Sequence, residues 1–335
     1  MQCLQILSDS LLFVLLLVLP VALQQARQQS QRESMMKQLL VSLLLALVPF
    51  QSLQAEEKSP VWFNSGMNNR DITFSPDGNL ILTTVVAPKN HFSVIAMSEN
   101  IDGRWSALET APFSGEFQDI EAAFHPNGDW VYFASKRPKP DRDGTDWDLW
   151  RVSYSSDGWG EPEHLGDSVN TDKNEFYPSL TKNGTLYFTA TREDSLGHED
   201  LYRSPQSDGR HTLVENVGGP VNSPAYEFNA FIAPDESYLI FGGQLREGEV
   251  GGGDLYISHR ENGSFKKPAL LGSNINTPQL DYCPMVFGDQ FYFTSEAPIE
   301  TDLRSVRNIE RWYQSPGNGL GDVYSVPMTD ILHHE

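Results

Sequence analysis

The chain has 335 residues with 45 acidic against 24 basic side chains, a net charge of −21. The first 55 residues hold only Asp9 and Glu33 against Arg27, Arg32 and Lys37, so the remainder carries 43 acids against 21 bases, a net −22. Such a surface repels phosphate backbones, which argues against nucleic acid as a partner, and the roughly 280 residues that carry it are ample for one domain with a large core.

Two apolar runs open the chain, residues 11–23 and 39–50, with a polar stretch between them. Both fall short of the roughly 20 residues needed to span a bilayer. The second is built like a secretory signal, with Met36-Lys37 as a positive start, 39–49 as the apolar stretch and Ser-Leu-Gln-Ala at 52–55 as a cleavage site. The first run has no basic residue before it, so residues 1–35 read as an upstream extension with translation starting at Met35 or Met36; the rival reading is a signal anchor made from that run. The expectation is a signal peptide at 36–55, a single domain at 56–335 without a stable membrane span, and a periplasmic or secreted location. Cys3 precedes the exported part, which rules out an intramolecular disulfide. Cys283 stands in an apolar strand between Tyr282 and Pro284 and is expected to pack as a buried, inert thiol.

From about residue 60 a unit recurs. Aligned on the polar residue that opens each first strand, the copies begin at Asn69, Asp119, Glu175, Glu227 and Asp281, spaced 50, 56, 52 and 54 residues apart. That is the period of propeller blades rather than of helical solenoids. Three strands per copy are legible, for example 176–180, 185–190 and 201–204, rich in β-branched and aromatic residues and apolar on both faces. A sheet packed between two neighbours has no solvent side, so this composition suits it. Pro76-Asp77-Gly78, Pro126-Asn127-Gly128 and Lys182-Asn183-Gly184 join first and second strands, since Gly and Asn accept the positive φ of tight turns. A shorter fourth strand, as at 159–165 and 265–271, ends in Gly-x-x-Val-Asn or Gly-x-x-Ile-Asn at 166–170, 218–222 and 272–276.

The last copy stops after its third strand, at 323–327. Residues 60–65 match the end of a fourth strand, because Asn64-Ser65 precedes Asn69 by the same five residues that separate Asn222-Ser223 from Glu227. The expected fold is all-β, a five-bladed β-propeller of four-stranded antiparallel blades whose last blade is completed by the mature N-terminal strand.

Ser-Pro-Asp-Gly at 75–78, Asn-Gly-Thr-Leu-Tyr-Phe at 183–188, Gly-Gly-Gly-Asp-Leu-Tyr at 251–256 and Leu-Gly-Ser-Asn-Ile-Asn-Thr at 271–277 resemble the WD40-like (PD40) β-propeller repeat of TolB-like periplasmic proteins. The resemblance covers roughly residues 60–327. It implies a cell-envelope propeller used mainly to bind proteins or other ligands.

Strand direction places the tight glycine turns on one face and the long irregular loops, 136–147, 191–199, 244–253 and 297–321, on the other. Binding residues concentrate on such loops. On that face Asp119, Glu175, Glu227 and Asp281 open the first strands, Arg137, Arg192 and Arg246 follow the second strands, and Asp148, Asp200, Asp254 and Asp322 open the third. Two readings stand: a carboxylate ring that binds a cation or basic peptide, or arginines that each bridge the two acids of their own blade. Asp141, Asp143, Asp146 and Asp148 form the densest acidic loop and are candidate calcium ligands. Arg311 and Trp312, in the longest insertion, are candidate ligand contacts or part of a short capping helix. No nucleophile elbow, P-loop, His-Glu-x-x-His or paired-Cys metal motif occurs. The expected function is non-catalytic binding of an envelope protein, peptide or glycan; the alternative is a glycan-cleaving hydrolase with paired carboxylates at the channel mouth.

Overall fold

Four-stranded antiparallel sheets recur five times in a computed structural model that describes residues 58–139 and 146–332. The extension 1–35, the signal segment 36–55, Asp141 and Asp143 lie outside the described residues. Among those described, no helix is long and apolar enough to cross a membrane.

In chain order the three long strands of each blade are Asn68–Phe74, Leu80–Val86 and Ser93–Ile101; Asp119–Phe124, Trp130–Ser135 and Asp148–Ser155; Glu175–Leu180, Leu186–Ala190 and Asp200–Ser204; Tyr226–Ile232, Tyr238–Gln244 and Asp254–Glu261; and Asp281–Phe287, Gln290–Ser295 and Asp322–Pro327. The first strands pack against one another in a closed circle, blade five against blade one. Each junction between blades holds its own apolar cluster. Leu82, Ile95, Val131 and Phe133 fill the first, while Phe63, Ile72, Phe74, Ile81 and Val323 fill the one between blades five and one. Apolarity on both strand faces follows from this arrangement.

The fourth strands are broken rather than continuous. In blade two the outer edge is split into Gly158–Trp159 and Glu163–His164, and in blade four into Ser264–Phe265 and Ala269–Leu270. Pro162 and Pro268 fall in the gaps, where a residue without an N–H cannot continue the ladder.

Ser59–Pro60 pairs antiparallel with Asp322–Pro327 on the open edge of blade five, and the Val61 N–H donates to the Val323 carbonyl at 2.9 Å. The Asn64 side chain brackets Val323, donating from Nδ2 to its carbonyl at 2.7 Å and accepting its N–H on Oδ1 at 2.9 Å. Asn170 brackets Leu149 in the same way, as do Asn222 with Leu201 and Asn276 with Leu255. The four amides hold four consecutive sheets to the chain that enters the next blade.

Candidate functional site

A cavity of about 630 Å³ opens on the long-loop face over the channel, and all five blades contribute to its wall. Its architecture comes from one local device repeated five times. Every first strand carries a register shift two residues after its opening polar position, and the residue there sits in the left-handed region: Asp71 at φ 49°, Glu121 at 60°, Tyr177 at 49°, Asn229 at 48° and Cys283 at 53°. A bulge breaks the two-residue alternation of a strand and re-aims the side chains beside it. The residues just before it, Arg70, Ile120, Phe176, Phe228 and Tyr282, form the cavity wall. Of the bulge residues, Glu121 and Asn229 reach the cavity as its floor, and all five are at most 7% exposed.

Left-handed backbone at non-glycine residues costs of order 1–3 kcal/mol per site. The surrounding sheets offset it by fixing the bulge N–H groups. Asp71 N–H donates to Thr294 Oγ1, Glu121 N–H to Thr84 Oγ1 and Asn229 N–H to Thr189 Oγ1, each at 3.0 Å and each across a blade junction. The equivalent second-strand position in blade two is Ala134, which has no hydroxyl, and Tyr177 N–H instead donates to Glu121 Oε2 at 2.8 Å.

Glu121 is the hub of the floor. It accepts from the Arg70 guanidinium, from Asn229 Nδ2 at 3.2 Å and from the Tyr177 backbone. Arg70 also lies 3.4 Å from Cys283 Sγ and stacks 5.1 Å from the Tyr282 ring centroid. Burial pushes the Cys283 thiol up against the pull of Arg70, so it stays protonated, in keeping with an inert thiol. Asp71 accepts two bonds from Thr84 through Oδ1, while its Oδ2 lies 3.7 Å from Arg70 Nε and makes no hydrogen bond among the described residues. Burial raises the Asp71 carboxyl to about 7, opposed by Arg70 and reinforced by Glu121.

The acids singled out in the sequence lie one step outward. Asp119, Glu175, Glu227 and Asp281 are each 0% exposed, and none lines the cavity. Glu175, Glu227 and Asp281 each accept the backbone N–H and hydroxyl of the residue four before them, Thr171, Ser223 and Thr277; Asp119 accepts the Ser114 and Ser135 hydroxyls. They staple the entry to each blade.

The expected bridging of two acids by one arginine is not what forms. Arg137 reaches Asp119 and Arg246 reaches Glu227, but the third-strand acids are taken by other donors. Lys139 and His164 hold Asp148, Leu196 N–H and Asn216 hold Asp200, Val250 N–H reaches Asp254, and Gly317 N–H reaches Asp322. Each arginine instead bonds a backbone carbonyl, of Phe113, Val169 or Val221, and lies over at least two aromatic rings. The Arg192 guanidinium makes its hydrogen bond to this carbonyl and leaves Glu175 to be bonded by Thr171. Blade five has no such arginine. Lys58 takes the place, 4.7 Å from the Tyr324 ring centroid and bonded to Ser295.

Of the candidate calcium ligands, Asp146 pairs with Lys139 at 2.8 Å, as Asp148 does at 3.2 Å. No group of three or more potential metal ligands occurs among the described residues. Arg311 and Trp312 belong to the helix Val306–Tyr313, capped by Ser305 Oγ, which accepts the Asn308 N–H. Trp312 Nε1 donates to the Gly317 carbonyl at 3.1 Å, Arg311 is exposed, and neither lines the cavity. The wall and rim residues that do, among them Trp147, Glu199, Tyr226 and Glu296, went unnoticed in the sequence.

Three buried acids set the larger part of the pH dependence of stability, opposed by His211, whose imidazole burial lowers to about 4. Burial raises Asp71 and Glu175 to about 7 and Asp322 to about 6, against ordinary values of 3.8, 4.5 and 3.8. The native state therefore keeps protons that the unfolded chain has lost, and stability falls as pH rises from about 4 to about 7. The urea midpoint is expected to be higher at pH 5 than at pH 8, and Asp71→Asn to narrow the difference. A midpoint that rises with pH, or an unchanged slope in the variant, contradicts this account.

No family model matches the sequence, and no curated protein does. Among solved structures, a putative TolB from Agrobacterium tumefaciens is 12% identical, with 78% of this chain and 90% of that one covered at a TM-score of 0.47. An α-L-arabinofuranosidase from Lactobacillus brevis is 11% identical, covering 80% and 92% at 0.48, and TolB from Acinetobacter baumannii is 10% identical, covering 78% and 54% at 0.43. At these identities the likeness says nothing about ligand.

Proposed function

We propose that this chain is an exported binding propeller of the cell envelope, and that its long-loop face takes part of a polar ligand, a protein segment, peptide or glycan, into the central cavity. One observation carries the reading: the cavity is walled by all five blades, yet the carboxylate at its floor, Glu121, is already occupied by Arg70, Asn229 and the Tyr177 N–H. A glycan-cleaving pair needs one carboxyl to deliver a proton and another to act as base or nucleophile about 5–9.5 Å away. Glu121 has its lone pairs committed, whereas aromatic walls with a few placed polar groups suit recognition. The hydrolase remains the second reading, favoured by the Asp71 carboxyl, which at about 7 is able to donate a proton near neutral pH.

The test is titration of the exported domain with envelope peptides and oligosaccharides, followed by tryptophan fluorescence and by product analysis. Trp147 and Tyr226 stand on the rim, so Trp147→Ala and Tyr226→Ala are each expected to weaken binding about tenfold, the effect of losing an aromatic anchor. Release of new reducing ends from any glycan, abolished in Asp71→Asn, favours the hydrolase instead.

A further inference from the structure

Three features of the cavity point to the charge of its occupant. Glu199 on blade three and Glu296 on blade five stand on its wall on either side of blade four, whose Tyr226 and Phe228 line the space between them. The Glu199 carboxylate makes no hydrogen bond or ion pair among the described residues; that of Glu296 is bonded only by Tyr282 and feels Arg70 at longer range. Both are half-buried, and burial raises both carboxyls, reinforced by Glu121 at Glu199 and by Asp281 at Glu296, where Arg70 opposes it. Arg70 offsets part of the Glu296 charge at a distance but is bonded to Glu121, so neither acid has an ion-pair partner of its own among the described residues.

The second feature is an open acceptor. Asn68 Oδ1, in a residue of the cavity wall, is buried without a hydrogen-bond partner among the described residues. An ammonium offers three donors and no acceptor, which complements it. The third feature is that the site already shows how it receives an ammonium: the Lys136 Nζ on the rim lies 5.0 Å from the Trp147 ring centroid. Phe228 and Tyr226, the latter with one face stacked on His198, line the same space, and a cation over an aromatic face is worth about 0.5–2 kcal/mol. The surrounding domain, net −22 outside the first 55 residues, adds a field that draws cations toward a cleft and repels anions.

We propose that the cavity recognises a primary ammonium group, held between Glu199 and Glu296 against the blade-four aromatics. This rests on the binding-propeller reading and specifies its ligand. The same chemistry is available from two sources, a lysine side chain of a peptide and the free amine of an amino sugar. The aromatic faces serve either, as partners for the lysine methylenes or for the sugar ring.

The test uses the exported domain and four probes: a lysine tripeptide blocked at both ends, its acetyl-lysine counterpart, a β-1,4-linked glucosamine disaccharide and its N-acetylated form. Calorimetric titration at pH 7.5 and low salt is expected to show at least one amine binding about tenfold or more tighter than its acetylated twin, a preference that shrinks with added salt. Which of the two amines binds identifies the source. Glu199→Gln and Glu296→Gln each reduce the preference and together abolish it, while thermal unfolding stays two-state and the acetylated probes are unaffected. Equal binding of amine and acetylated forms, an unchanged preference in the double variant, or calcium competing while neither amine binds, overturns the proposal. Neutral probes that bind in a Trp147-dependent way overturn only the ammonium assignment. Silence from all four probes together with the wider ligand panel overturns the binding reading itself.

Discussion

Replacing Arg70 with alanine is expected to lower the unfolding free energy by about 3–5 kcal/mol, the cost of leaving a buried charge without its partner. The charge in question is Glu121, 4% exposed and fixed on a strained bulge where it cannot swing out to water. Its other donors, Asn229 Nδ2 and the Tyr177 N–H, are uncharged and make up for only part of the loss. Arg70→Lys keeps the charge but not the planar fork that reaches Glu121, Cys283 and the Tyr282 face together, so it is expected to recover a minority of the stability. Adding Glu121→Gln to Arg70→Ala removes the orphaned charge and is expected to restore more than half. A double-mutant cycle in urea measures the coupling; a value below about 1 kcal/mol would show that the pair does not hold the floor together.

The second large effect is expected where the chain closes on itself. Phe63 is 6% exposed in the cluster between blades five and one, and Phe63→Ala is expected to cost about 3–5 kcal/mol by opening a cavity there. Asn64→Ala is expected to cost about 1–3 kcal/mol, because it strips the N–H of buried Val323 of its partner and leaves the carbonyl to the Val61 N–H alone. Asn222→Ala, in the middle of the chain, breaks an equivalent bracket around Leu201. The two asparagine variants should therefore destabilise equally by denaturant titration. If Asn64→Ala is silent while Asn222→Ala is costly, residues 59–64 do not latch the ring. Variants that loosen this segment also bare the edge of Asp322–Pro327 and are expected to aggregate on mild heating.

The period, the glycine turns and the doubly apolar strands are local features, which is why blade number and strand order were legible from the sequence. The aligned positions Asn69, Asp119, Glu175, Glu227 and Asp281 are legible for the same reason, each being the first or second residue of its blade's first strand. What a flat strand pattern could not convey is where they point. Alternation would set the residue two further on upon the same side, but the bulge intervenes, so the acids turn into the blade entry and their successors face the channel. Nothing in Asp71, Glu121, Tyr177, Asn229 and Cys283 announces left-handed backbone, since none is glycine. Their signal was the period itself: stepping one and two residues along from the aligned acids yields wall and floor. Lys58 was illegible for a different reason. It lies outside every repeat, and only the closed ring brings it over Tyr324 in the place of a blade-five arginine.

The floor also separates two mouths. On the tight-turn side a second cavity of about 190 Å³ is lined by Phe74, Phe124, Leu180, Phe231 and Phe287 from all five blades, almost free of charge. Between it and the acidic cavity stand the bulge residues, tied across the axis by the bond from Tyr177 OH to the Pro284 carbonyl at 3.0 Å. The disc is thus a cup with a stopper rather than a tube. A polymer cannot be threaded through it like a bead on a string; it must present a chain end, a branch or a protruding side group, and whatever enters has to leave by the way it came.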